Sequence, residues 1–462
     1  MNNMIDAGTS YNKRLVYVVG TIAALAGLLF GIDIGVISGA LKFIAADFAL
    51  TTQQQEIVVS SLLVGAVIGT LLSNPLSHHF GRRHTILLSA VIFAVGSLLC
   101  AVAPNFYVLV ILRVLLGTAV GMASFTAPIY LSEVAPKKIR GRLISLYQLM
   151  ITIGILLAII SDTYFSYTGN WRAMLGVIFI PAAIMFFGVL TLPRSPRWLM
   201  LKGRKEQAKS VLDKILVDDK EVEREMREIE ENLARTQEGW KVFKKPYFRR
   251  VLSLGIMLQF IQIMTGMNTM MYYAPKIFEL AGFATTAQQM WGAVALTTLN
   301  VLTTFIALAV IDRWGRRPLL FFGLIFMTIG MGFLGLSFHY GPSTALLKDI
   351  AVAGMLIFIF GFAVSLGPVI WVLCAEIFPL KSRDIGVMFT TATNWICCAI
   401  IGGFFLSLLN WIGPSDTFWL LAVICVISIV LISIFSPETK DVPLEIIEKN
   451  LIDGKRLADI GQ

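Results

Sequence analysis

Twelve stretches of mostly apolar residues, each about twenty or more long, succeed one another along this chain. They lie near 15–41, 57–77, 85–104, 107–130, 143–162, 173–193, 252–278, 290–311, 318–339, 350–374, 385–409 and 417–436. A bilayer core about 30 Å thick takes about 20 residues of α-helix to cross. Inside hydrocarbon a helix satisfies every backbone N–H and C=O within its own segment. The pattern therefore predicts an all-α integral membrane protein with twelve transmembrane helices. Composition agrees: 56% of residues are hydrophobic and 15% charged, against about 45–50% and about 25% in soluble domains. The first run is longer than the roughly 7–15 apolar residues of a cleavable signal and is expected to remain as a span.

The cationic residues sort by side. With both termini in the cytoplasm, the inner loops carry Arg82 and Arg83; Lys137, Lys138, Arg140 and Arg142; Arg313, Arg316 and Arg317; and Lys381 and Arg383. The outer loops hold little beyond Lys42, Arg172, Lys276 and Lys348. This is a positive-inside distribution. The formal net charge of +9 then reads as topology and attraction to anionic lipid, not as a nucleic-acid surface. Cys100, Cys374, Cys397, Cys398 and Cys425 lie in apolar runs without metal-ligand or disulfide-framework spacing. His78, His79, His84 and His339 form no zinc-like cluster. No nucleophile elbow, P-loop or dinucleotide fingerprint is present. These features point away from an enzyme, a cofactor or a metal, and any uphill work must draw on a gradient.

Residues 194–250 form the long polar stretch. EQAKSVLDKIL and EVEREMREIEENLAR have helical periodicity and opposite charges three and four apart, which predicts short amphipathic helices in a cytoplasmic linker. The expected organisation is an N-terminal segment (1–14), a six-helix bundle (15–193), the linker (194–250), a second six-helix bundle (251–440) and a cytoplasmic tail (441–462). The bundles repeat: HHFGRRHTILL at 78–88 is echoed by DRWGRRPLLFF at 312–322, and LSEVAPKKIRGR at 131–142 by CAEIFPLKSRDIG at 374–386. Two pseudo-symmetric halves with matching basic turns are the mark of a transporter whose site lies at the repeat interface.

The apolar runs contain charges. GLLFGIDIGVISG at 27–39 places Asp33 in the middle of the first span, and ILRVLLGTAVG places Arg113 inside the fourth. An acid at bilayer depth costs about 2.5–3.5 kcal/mol on insertion scales and usually faces a cavity on a functional path. Such a pair can act as a switch, with Asp33 taking a proton and releasing Arg113 on one side, then giving the proton up on the other. Amides are also present at depth: Gln148, Gln259, Gln262, Asn268, Asn300 and Asn394. Amide side chains both donate and accept, as a ring of sugar hydroxyls requires.

Taken in order, FGIDIGVISG, the two GRR turns, YLSEVAP…RG, QLMITIGIL, SDTYFSYTGNWRAMLGV, SPRWL, TGMN…MYYAPKIFELAG, GPVIWVL, AEIFPLKSR, TNW and PETK resemble the sugar porter family of the major facilitator superfamily. Within it, the chain is most similar to the bacterial galactose- and arabinose-proton symporters, over nearly its whole length. The resemblance implies a monosaccharide/proton symporter of a bacterial plasma membrane, working as a monomer by alternating access, with a monosaccharide, a proton and the lipid bilayer as its partners. It implies sugar contacts at Gln148, Gln262, Asn268, Asn300 and Trp371, with Phe30, Tyr272 and Trp395 lining the cavity. It also implies a cytoplasmic salt-bridge gate of Arg82, Arg83, Glu133, Arg140, Arg316, Arg317, Glu376 and Arg383, supported by Asp312 and Arg197. Uniporters of the family typically lack an acid at the position of Asp33, so the resemblance favours proton coupling over passive facilitation. A sugar sensor of the same fold would be expected to carry a longer tail than residues 441–462.

Four positions depart from the family pattern. His78 stands where an acid usually precedes the first basic turn, and Arg194 where a glutamate usually precedes SPR. Both remove negative charge from the first half of the gate, which is then expected to be weaker or to be held by Glu133 and by Glu438 of PETK. Ile263 replaces a glutamine after Gln262, and Cys398 replaces an asparagine three residues after Trp395. Each removes a hydrogen-bonding group from one wall of the cavity. Galactose, glucose and arabinose are all compatible with the remaining groups.

Overall fold

The structure is a computed structural model that describes residues 11–136, 139–234, 239–379 and 382–461; within these, the side chains of Arg140, Asn232, Leu233, Ala234, Asp312, Leu444 and Glu445 lie outside the description. The first half comprises α1 (Lys13–Asp47), α2 (Thr52–Phe80), α3 (Arg82–Ala101), α4 (Phe106–Val134), α5 (Arg140–Ser166), α6 (Trp171–Gly176) and α7 (Phe179–Thr191). Helices α8 (Pro196–Leu201), α9 (Lys205–Ile215) and α10 (Asp219–Ala234) follow, and then a 3-10 turn at Gly239–Lys244. The second half comprises α11 (Pro246–Met264), α12 (Met267–Tyr272), α13 (Ala274–Leu280), α14 (Thr286–Trp314), α15 (Arg316–Tyr340), α16 (Ala345–Val364), α17 (Leu366–Glu376) and α18 (Arg383–Phe435), with α19 (Leu444–Ile452) beyond it.

Eleven helical stretches are long and apolar enough to cross a membrane. The last, α18, runs 53 residues and contains Gly413 at φ 83°, ψ 161°, where the chain reverses between two spans. The described residues thus contain the twelve predicted spans. Three are interrupted. The sixth is α6 and α7. The seventh breaks at Gly266, whose φ of 98° suits glycine far better than any residue with a Cβ. The tenth breaks at Ser365, φ −126° and ψ −92°, where Pro368 cannot donate a helical hydrogen bond.

The linker helices form as predicted, around a small core of Trp198, Leu199, Met200, Ala208, Leu212, Val222 and Ile229. The described segments flanking the two bundles are tied into the fold. Asn12 N donates to Ile215 O at 2.8 Å, tying the start of α1 to α9. The tail docks back onto the bundle, where Arg250 donates to Lys455 O at 2.6 Å, and it is folded on itself by Asn450, which donates to Ile460 O at 3.0 Å.

Glycines at 27, 31, 35 and 39 line one stripe of α1 and let its backbone lie on α5. A Cβ at Gly31 would collide with the Ile151 carbonyl, and one at Gly39 with the Asp162 side chain. Without a hydrophobic drive between helices in lipid, close approach through small residues is how such seams gain packing energy.

Candidate functional site

Asp33 lies two residues past Gly31, about 200° round the helix, so it points away from α5. It shares a face with Phe30, whose ring meets Trp395 of α18 edge-on at 5.0 Å between centroids. Asp33 is 1% exposed, and neither carboxylate oxygen has a hydrogen-bond partner. Arg113 on α4 is also buried, and its field reaches Asp33. The two do not join in an ion pair. Instead, Arg113 Nε donates to Val58 O on α2 at 2.8 Å. The expected switch partners are brought into one neighbourhood, with the guanidinium held by a helix carbonyl. Tyr272 of α12 lies within electrostatic range of both, and its buried hydroxyl has no partner.

The broken spans bring the amides together. Asn394 Nδ2 donates to Gln259 Oε1 at 2.7 Å and to Gln262 Oε1 at 3.0 Å. Gln262 Nε2 donates to Leu366 O at 2.8 Å and to Gly367 O at 3.3 Å, binding the seventh span to the break in the tenth. Asn268, placed by the Gly266 break, donates to Cys398 Sγ at 2.8 Å, and Cys398 reaches Asn394 Oδ1 at 3.7 Å. The thiol therefore keeps a weak polar link where the family asparagine would stand, whereas Ile263 is buried in the apolar core. Unpartnered polar atoms gather here: the Trp395 Nε1, Tyr272 hydroxyl and Thr269 hydroxyl are buried without a protein partner. Buried polar atoms normally have partners, so this wall is built to meet something polar. Gln148 on α5 and Trp371 on α17 are half-buried, and Asn300 on α14 is buried.

At the basic end, the gate residues form two clusters, one in each half. Arg82 pairs with Glu133 at 2.9 Å, and Ser195 donates to Glu133 at 2.6 Å. Arg316 pairs with Glu376 at 2.9 Å, and Thr439 donates to Glu376 at 2.5 Å. Arg83 and Arg317 depart from the expected network and cap carbonyls at helix ends. Arg83 binds Val189 O and Leu190 O, and Arg317 binds Ser433 O. Glu438 serves the second half, accepting from the backbone N–H of Arg316 at 3.0 Å and of Arg317 at 2.9 Å, so it does not compensate for Arg194 in the first. Among the described residues Arg197 joins no ion pair. Arg383 opens α18. The side chains of Arg140 and Asp312, and Lys137, Lys138 and Lys381 entirely, lie outside the described residues.

The far end is joined across the halves. Glu56 at the start of α2, 3% exposed, accepts from both the backbone N–H and the hydroxyl of Ser407 on α18 at 2.6 Å each. Lys42 donates to Thr286 and Gln289 of α14 at 3.2 and 3.3 Å, and Trp291 donates to Tyr167 at 3.3 Å. At the basic end, the one described hydrogen bond between halves is the long Asn74–Met388 contact, 3.9 Å. Glu56 was not singled out from the sequence, because a glutamate near the start of a helix is an ordinary residue until its partner on another helix is known.

Twelve spans in two like halves, broken helices meeting at an amide cluster and opposite charges at depth define a membrane carrier. The chain belongs to the sugar transporter family: the family model described as "Sugar (and other) transporter" matches residues 19–451. It is 53% identical over 451 residues to the galactose-proton symporter of Escherichia coli K12, covering 97% of each chain. It is 46% identical over 453 residues to the arabinose-proton symporter of the same strain, covering 97% of this chain and 96% of that one. Among solved structures it is similar to the xylose transporter XylE of E. coli in a partially occluded inward open conformation, with TM-score 0.83, 28% identity and 93% and 100% of the two chains covered. It is also similar to the proton:xylose symporter XylE bound to 6-bromo-6-deoxy-D-glucose, with TM-score 0.81, 29% identity and 97% and 99% covered.

Proposed function

We propose that this protein is a proton-coupled monosaccharide symporter of the galactose and arabinose type, with Asp33 as proton carrier. The observation that carries this reading is an unpartnered carboxylate at membrane depth, sharing a helix face with Phe30 and lying within range of Arg113 and Tyr272. The basic end is the cytoplasmic one on the positive-inside rule, with both termini there. The bonds across the far end then describe a carrier closed to the outside. In the outward state Asp33 takes a proton and the sugar enters; in the inward state both leave.

Gln262, Asn268, Asn394 and Trp395, with Gln148, Asn300 and Trp371, form the sugar site. Tyr272 stands between the sugar and the acid. The similarity to two symporters along 97% of this chain supports coupling. The protein works as a monomer in the bilayer.

Asp33→Asn is the deciding variant. Accumulation of labelled galactose against its gradient should fall at least tenfold while sugar counterflow stays measurable. A variant that still concentrates sugar as wild type does, in the presence of a proton gradient, would show that Asp33 is not the proton carrier; a wild-type protein that only equilibrates sugar would be a facilitator with a structural Asp33.

A further inference from the structure

A second acid lies on the same seam as Asp33 and takes no part in the mechanism above. Asp162 ends the fifth apolar run and sits on α5 against Gly39, close enough that a Cβ there would collide with its carboxyl group. It is 0% exposed, and neither oxygen bonds a side chain, the Gly39 amide being the one backbone donor beside it. The adjoining Ser38 hydroxyl is also buried, without a hydrogen-bond partner. Gly39 is six residues beyond Asp33, about 9 Å along the helix, toward the far end.

The helix ends that flank Asp162 are joined to the second half. Three residues past Gly39, Lys42 bonds Thr286 and Gln289 of α14; five residues past Asp162, Tyr167 accepts from Trp291 of α14. The surroundings of Asp162 supply no compensating charge. On α1 the nearest cation along the chain is Lys42, its ammonium already committed to α14. On α5, Tyr164 and Tyr167 are exposed. Above them Asp47 and Arg172 pair with each other at 2.9 Å, and on α14 Gln289, which accepts from Lys42, is uncharged. Asp33 and Arg113 lie deeper. An ionised carboxylate with no side-chain partner in such a place is strongly disfavoured, whereas the neutral acid is tolerated.

We propose that Asp162 is a second proton-binding site, filled from the outside while the far end is open, and that α14 seals onto α1 and α5 only when this acid carries its proton. The idea rests on the symport reading for its physiological sense, but not for its test. It also has a distinctive sign. Glu56, the other buried acid at the far end, accepts two bonds from Ser407 in the closed state and helps to hold that end shut. Asp162 opens it on alkalinisation.

Spin labels at Ala46→Cys on α1 and Ala284→Cys before α14, in the full-length protein in lipid nanodiscs, report this opening as a distance distribution. From pH 6 to pH 8.5 the long-distance population should grow at least threefold. Asp162→Asn, which mimics the neutral acid in shape, should hold the closed distribution across that range. Asp33→Asn should leave the pH response in place, which separates Asp162 from the proposed carrier whatever the transport assays give. A pH response retained in Asp162→Asn overturns the proposal. So does a wild-type distribution that does not change with pH, a result that needs no Asp162 variant to fold.

Discussion

The two basic turns are built on one plan and differ at one decisive position. Gly81 and Gly315 both have φ 93°, and the second arginine of each turn caps carbonyls at the end of the last helix of its half. The first arginine of each pairs with the glutamate that ends the fourth or tenth span. A hydroxyl donates to that same glutamate, Ser195 in one half and Thr439 in the other. Just before that hydroxyl the halves part. Glu438 receives the first two N–H groups of α15, where a helix leaves its donors unsatisfied and its dipole favours an anion. Its counterpart is Arg194, which lies toward the Trp198 ring, 5.8 Å from its centroid. One half thus spreads the load over two carboxylates and the other concentrates it on Glu133. A repeat preserves geometry while its electrostatics drift, and the missing charge makes the remaining one matter more.

The largest expected effect follows from that concentration. The Glu133 side chain is 4% exposed and Arg82 13%, against 24% for Glu376. Glu133→Ala leaves a nearly buried guanidinium without its partner and should destabilise the protein by about 3 kcal/mol, read as a fall in the detergent-solubilised unfolding midpoint. Equal midpoints for Glu133→Ala and Glu376→Ala would break the comparison.

Next in size is Glu438→Ala, which removes a charged acceptor from two backbone donors and should cost about 2 kcal/mol. Arg194→Ala, by contrast, should change the midpoint little. Glu376→Ala should fall near or below Glu438→Ala, at about 1–2 kcal/mol, because its site is more open to water. The smallest effect sharpens the comparison by repairing it. Arg194→Glu restores an anion near the first turn of α3 and should add about 0.5–1 kcal/mol, and adding Glu133→Ala to it should cost less than Glu133→Ala does alone. Strict additivity of the two changes would show that Arg194 and Glu133 do not share the work of the first turn.

Much of the machine was legible in the sequence because its signals are one-dimensional. Length and apolarity mark the spans, basic loops mark sidedness, and a lone carboxylate inside an apolar run marks Asp33. Asp162 escaped the same reasoning because it closes the run 143–162 and reads as a headgroup-level residue. Its burial depends on Gly39 coming from another helix. Arg83 and Arg317 were expected in a salt-bridge network from the family resemblance, but the carbonyls they cap belong to helix ends more than a hundred residues away in sequence. The docking of the tail was only half visible, since the five apolar residues of LEIIEKNLI mark a helix with a face to bury but do not say that it packs against α11.

What the residues by themselves determined is what depends on local hydrophobicity and charge: twelve helices in lipid, two repeated halves, a helical linker and an acid at depth. The tertiary structure alone decided which polar groups meet. It holds Arg113 on the Val58 carbonyl rather than on Asp33, draws Gln259, Gln262, Asn268, Asn394 and Cys398 into one network, and closes the far end through Glu56, Lys42 and Trp291. Hydrogen bonds act over about 3 Å and require particular directions, so partners far apart in the chain become partners only once the helices have packed.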